Sequence, residues 1–132
     1  MDKELVIVDT SVFIDYFRKL RKDKSLLVEL SQKYTLAISV VTKFELMVGI
    51  KDEIQRAFWK NLFNDIITFP FTEKEAEQAA SLVQYLRQAN KMIELPDIFI
   101  AATALENRKA VATLNYKDFA RIPNLTLLNH TL

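Results

Sequence analysis

Five short apolar runs recur along the chain, and stretches of helix length separate most of them. The runs are Leu5–Asp9, Thr35–Val40, Ile66–Phe69, Ala110–Thr113 and Leu125–Leu128. No Asn-Gly or Asp-Gly turn joins any two of them, so hairpins have no sequence support. Helical spacing fills the intervals: Val12–Leu20, Ser25–Lys33, Thr42 to a stop at Gly49, Ile54–Ile66, Thr72–Asn90, and "PDIFIAATALEN" from Pro96. Thr72 and Glu75 form a capping-box pattern, and Pro96 suits a first helical turn. Strands that alternate with helices and lack hairpins form parallel sheets. The pattern predicts an α/β fold with a central, mainly parallel five-stranded sheet and helices on both faces. With 132 residues and no linker or repeat, residues 1–132 are expected to form a single domain.

Composition narrows the chemistry. There is no Cys, which excludes thiol nucleophiles and thiolate zinc sites. The only His is His130, near the end of the chain, so a Ser-His-Asp arrangement has no support. One glycine, Gly49, builds neither a P-loop nor a dinucleotide turn. Carboxylate, hydroxyl, amide and amine groups remain. A net charge of +1 makes no global case for nucleic-acid binding, so any such case must be local. The first apolar run is too short to span a bilayer and is interrupted by Asp9 and Asp15. No membrane association and a cytoplasmic location are expected.

Three acids stand at the positions where α/β folds place their sites. Asp9 ends the first strand, Glu45 follows the second near a helix start, and Asp97 opens the helix at Pro96. Asp118, after the fourth strand, is a fourth candidate. C-terminal strand ends and helix N-termini share one edge of a parallel sheet, so these residues can converge. Each has an ordinary structural explanation too. Thr42 to Glu45 fits a capping box, Asp97 complements a helix dipole, and Asp9 can be a polar exit from a strand. Together they would repel one another unless a cation sat among them. Oxygen donors without His or Cys select hard cations, hence Mg²⁺ or Mn²⁺. Such ions most often act on phosphate esters by activating water. Thr10 or Ser11 beside Asp9, and Thr113 near Asp118, can orient the water or a carboxylate, or can simply cap a helix and end a strand. Asp15 lies nearly two helical turns beyond Asp9 and is assigned to structure.

The segments "VIVDTSVFIDYF", "SVVTKFELMVGI", "PDIFIAATAL" and "VATLNYKDFARIPNLTLLN" resemble, in order, the four blocks of PIN-domain nucleases. The likeness is to VapC-type toxins of toxin–antitoxin pairs, and it runs from Val6 to Asn129. It implies a PIN fold and a Mg²⁺- or Mn²⁺-dependent endoribonuclease whose metal-activated water leaves 5′-phosphate and 3′-hydroxyl ends. Carried over by position, Asp9, Glu45 and Asp97 hold the metal. Asn115 stands where many relatives have an acid, and Asp118 is the nearest acid to it. A fourth ligand and a second metal therefore stay open. Ser11 occupies a position that is often Asn.

The resemblance also implies partners: an RNA substrate, a small VapB-like antitoxin, and a homodimer that can form a heterotetramer or larger assembly with it. "RKLRKDK" supplies Arg18, Lys19, Arg21 and Lys22 as candidates for RNA phosphates, or as a solvated helix end. The large apolar residues of "FELMV" and "AFWKNLF" serve the core or an antitoxin groove. Two other readings are a PIN nuclease of RNA processing without a toxin role, and a degenerate PIN fold acting as a binding module. A haloacid-dehalogenase-type phosphatase fits less well, because Asp9-Thr10-Ser11 lacks the second Asp of a D-x-D pair.

Overall fold

The computed structural model describes residues 2–129; His130 lies outside the described residues. Four strands form one parallel sheet in the order β3-β2-β1-β4. They are β1 (Leu5–Val8), β2 (Thr35–Ser39), β3 (Ile67–Phe69) and β4 (Ala110–Ala112). The register sets Val6 opposite Leu36 and Ala110.

Between them run α1 (Thr10–Arg18), α2 (Leu26–Lys33), α3 (Val40–Val48), α4 (Glu53–Phe63), α5 (Glu73–Gln88), α6 (Leu95–Glu106) and a short α7 (Tyr116–Phe119). A 3-10 turn over Lys22–Lys24 precedes α2.

Strand alternation divides the core in two. Val6, Val8, Ile38 and Ala112 pack with buried residues of α1, α2 and α4. Ile7, Ala37 and Val111 pack with α5 and α6. Helices therefore cover both faces of the sheet, as expected. Phe13, fully buried, packs edge-on against Trp59 and Phe63 at 6.5 and 6.0 Å, joining α1 to α4. No helix among the described residues is long and apolar enough to cross a membrane.

The sheet has four strands, not five. The run Leu125–Leu128 makes a single parallel bridge, Val111 to Leu127. The reason lies in β4. Successive strand residues turn their N–H and C=O to opposite sides. Of the three residues in β4, Val111 alone presents both groups to the outer edge. They bond Thr126 O at 2.9 Å and Leu128 N at 2.8 Å, which exhausts that edge.

Two helix starts also differ from expectation. Helix α3 begins at Val40, where the Ser39 hydroxyl accepts from Val41 N, and Thr42 is fully buried within it. Glu45 thus lies in the second turn, and Thr42–Glu45 is no capping box. Helix α1 begins at Thr10, with Asp9 as its N-cap. The predicted box at Thr72 and Glu75 does form. Gly49 ends α3 at φ −83°, a right-handed conformation open to any residue.

Candidate active site

The C-terminal ends of β1, β2 and β4 meet the N-terminal halves of α1, α3 and α6 at one edge. A cleft of about 240 Å³ opens there, and Asp9, Thr10, Ser11, Glu45, Asp97 and Asn115 are among its walls. Three acids far apart in sequence are therefore brought together, as predicted. The Ser39 hydroxyl that caps α3 also accepts from Thr103 of α6 at 3.2 Å. This buried contact fixes the helix of Glu45 against the helix of Asp97.

Asp9 is 2% exposed. Its Oδ2 accepts the Ser11 hydroxyl at 2.6 Å, the Thr113 hydroxyl at 2.8 Å and Ser11 N at 3.4 Å. Each hydroxyl is itself oriented by the loop after β4: Leu114 N donates to Ser11 and Asn115 N to Thr113. The carboxylate is thus held firmly through one oxygen. The other, Oδ1, is buried and has no hydrogen-bond partner among the described residues. A buried acceptor left unpaired is costly and calls for a reason.

Glu45 is half-buried. Its Oε1 accepts the Thr10 hydroxyl at 2.7 Å, and Thr10 also lies 3.1 Å from the hydroxyl of Thr42. Burial raises the pKa of Glu45, the Thr10 bond opposes the rise, and the charges of Asp9 and Glu94 add to it. Asp97 opens α6, as Pro96 foreshadowed. Burial first, then the charges of Asp9 and Glu45, push its pKa up to about 7. The Asn115 amide pulls the other way, donating from Nδ2 to Asp97 Oδ2 at 3.1 Å.

Two further acids named from the sequence lie outside the cleft wall. Asp118 is not part of the cleft wall; it stands behind Asn115, whose Nδ2 donates to it at 3.0 Å. Asn115 therefore bridges two acids. Asp15 forms an i,i+4 pair with Lys19 at 3.5 Å, as its structural assignment required. That pair occupies Lys19, and Arg21 pairs with Asp23 at 3.2 Å. Lys22 donates to the carbonyls of Tyr16, Phe17 and Lys19 and caps the end of α1. Among the four proposed phosphate-binding cations, Arg18 alone has no partner among the described residues.

Sequence reasoning missed Glu94. It lines the cleft beside Glu45 and is the N-cap residue of α6, yet its side chain makes no capping bond. A signal existed: glutamate is not a favoured N-cap, unlike Ser, Thr, Asp or Asn.

The family model of the PIN domain matches residues 6–125. The chain belongs to the PIN-domain family. Among its PIN-domain relatives, ribonuclease VapC of Rickettsia bellii is 34% identical over 133 residues, with 93% of this chain and 94% of that one covered. Ribonuclease VapC10 of Mycobacterium tuberculosis is 32% identical over 121 residues, covering 92% and 90%. A toxin–antitoxin complex from Klebsiella pneumoniae contains a chain that superposes with a TM-score of 0.73 at 31% identity, covering 92% and 95%. The PIN fold positions Asp9, Glu45 and Asp97 at one sheet edge, and the resemblance had pointed to the same three.

Proposed function

We propose that this chain is a VapC-type endoribonuclease, the toxin of a toxin–antitoxin pair. It hydrolyses RNA phosphodiesters with Mg²⁺ or Mn²⁺ held by Asp9, Glu45 and Asp97. The observation that carries the metal is Asp9 Oδ1, a buried carboxylate oxygen without a partner, in a cleft where Glu45 and Asp97 have raised pKa values.

The donor set fits a hard cation. Among the described residues, no three acidic groups are drawn together tightly enough to enclose an ion as they stand. Mg²⁺ keeps several waters and takes one or two carboxylates plus phosphate oxygens of the substrate, so it does not need a closed protein cage. When bound, such a cation supplies an activated water and offsets charge on the phosphorus in the transition state.

The chain's own groups do the positioning. Ser11 and Thr113 lock Asp9 through Oδ2 and leave Oδ1 for the ion. Thr10 holds Glu45, and Asn115 holds Asp97. Asp118 acts through Asn115, which donates to it at 3.0 Å. The likeness to VapC proteins and to a toxin–antitoxin complex supports a small VapB-like antitoxin as partner. A homodimer as the unit it binds belongs to the same proposal. The chain's proposed place of action is the cytoplasm.

The test uses purified, antitoxin-free protein and defined RNAs, with Mg²⁺, Mn²⁺ or chelator, alongside Asp97→Asn. Cleavage is expected with metal and the parent protein alone. Cleavage that survives chelator or the substitution rejects the metal–carboxylate mechanism. A folded protein that leaves tRNA, mRNA and rRNA intact under all conditions is a binding module instead.

A further inference from the structure

We propose that the groove between α1, α3 and α4 receives the single-stranded RNA flanking the cut. A base rests on Phe17, and phosphates meet Arg18 and Lys51. This inference rests on the nuclease reading and assigns its strand path.

The groove, about 310 Å³, is walled by Phe17, Arg18, Glu45, Lys51, Gln55 and Trp59 among others. It shares Ile14 and Glu45 with the carboxylate cleft, so the two lie side by side. A strand whose scissile phosphate sits by the acids has this exit beside it.

Charge favours a polyanion here. The side chains of Arg18 and Lys51 make no ion pair or hydrogen bond among the described residues, whereas Lys19, Arg21 and Lys22 nearby are committed. Glu45 is the sole acid in the groove wall. Beyond Trp59, which also lines a neighbouring groove, lie Lys43 and Lys60, with Arg56 paired to Glu53 at 3.5 Å. Cations along the exit offset the repulsion that the acidic cleft exerts on phosphates.

The aromatic element fits as well. Phe17 is 36% exposed, and its ring stacks on Trp59 at 5.5 Å and meets Phe58 edge-on at 5.5 Å. Its packed side fixes the ring; Lys22 Nζ stands over the ring 6.0 Å from its centroid, so a base that stacks here displaces that cation towards its own phosphates. A positive groove with aromatic platforms is how single strands are held. A base inside a duplex could not reach the ring, which restricts the occupant to loops, bulges or ends.

Trp59 is the only tryptophan, so its fluorescence reports on this groove directly. Oligo-U and oligo-A of about eight nucleotides are titrated into the uncleaving Asp97→Asn chain with Mg²⁺ present. Saturable quenching of Trp59 is expected. Arg18→Gln and Lys51→Gln should each weaken binding and lower the slope of log K against log salt by about 0.7. Phe17→Leu should weaken it about tenfold, within the range for loss of one stacked base. The two surface cations keep the test valid if Phe17→Leu loosens α1.

RNA that binds without any Trp59 response, and equally well to all three variants, overturns the groove assignment while leaving the nuclease reading intact. A Trp59 signal that follows protein concentration alone, or answers only to purified antitoxin, gives the groove to a second copy or to a protein partner and also overturns it. A parent that binds and cleaves no RNA overturns the nuclease reading, and this inference with it.

Discussion

Asp97→Asn should make the protein more stable as it removes the activity. In the folded chain Asp97 titrates near pH 7 because it is half-buried and faces Asp9 and Glu45. Its unperturbed value is 3.8. A carboxyl with a raised folded pKa binds its proton more tightly in the native state than in the unfolded one. Native protein therefore holds more protons between about pH 4 and pH 7, and stability falls as pH rises through that window. Above it the full penalty is present. Each pH unit of difference is worth about 1.4 kcal/mol. Solvent screening of a half-exposed group leaves a fraction of the total, about 1–2 kcal/mol. For a domain of this size that is about 3–8 °C in Tm.

The assay is a set of thermal melts of parent and variant from pH 4.5 to pH 8 in chelator. The variant should melt higher at pH 8, and the gap should close towards pH 4.5. Adding Mn²⁺ should reverse the order. Ligand at a hundred times its Kd adds about 2.7 kcal/mol to the protein that binds it. A variant no more stable than the parent at pH 8, or a gap independent of pH, refutes the account of crowded carboxylates.

Three further outcomes are expected. Thr113→Val removes a donor to Asp9 and the acceptor of Asn115 N, so Mn²⁺ affinity by calorimetry should fall about 10–100-fold. Asn115→Asp replaces two donated bonds with like charges facing Asp97 and Asp118; the metal-free Tm at pH 8 should drop by an amount equivalent to about 1–2 kcal/mol, and Mn²⁺ should restore it. Gly49→Ala should stabilise the fold by about 0.4–1 kcal/mol in denaturant titrations, because the backbone is right-handed there and a Cβ would meet only Leu46 O at an ordinary 3.6 Å.

The parallel sheet was legible because the information is periodic. Apolar runs such as Leu5–Val8 must be buried on both faces, the helical spacing around Phe13 and Leu82 gives α1 and α5 one apolar side, and α6 around Ile100 is buried almost all round. Convergence of Asp9, Glu45 and Asp97 was legible for the same reason, since strand ends of a parallel sheet share one edge. What escaped depended on single hydrogen bonds. Ser39 and Thr42 are both reasonable caps by type; Ser39 wins because its hydroxyl also anchors Thr103. The fifth strand failed because three residues of β4 turn just one N–H and C=O pair outward, a matter of pleat phase. Glu94 and the commitments of Arg21 and Lys22 were hidden because side-chain partners across a turn leave no periodic trace, whereas the Asp15–Lys19 pair carries the i,i+4 spacing of a helix.

The amide at Asn115 makes sense once charge is counted around Asp97. That carboxyl already feels Asp9, Glu45 and, more weakly, Asp118. A further acid against it would add repulsion at a carboxyl already half-buried among like charges. Asn115 instead gives its amide hydrogens to Asp97 and Asp118 and turns two repelling neighbours into one tied unit. Glu94 carries additional negative charge at the exposed lip of the cleft, where water screens it cheaply and the side chain has no other bond to break. The site thus keeps its attraction for a cation while moving the most costly charge from the buried side to the wet side. Asp9 completes the logic: one oxygen held by two oriented hydroxyls, and the other buried, unpaired and facing the same cleft.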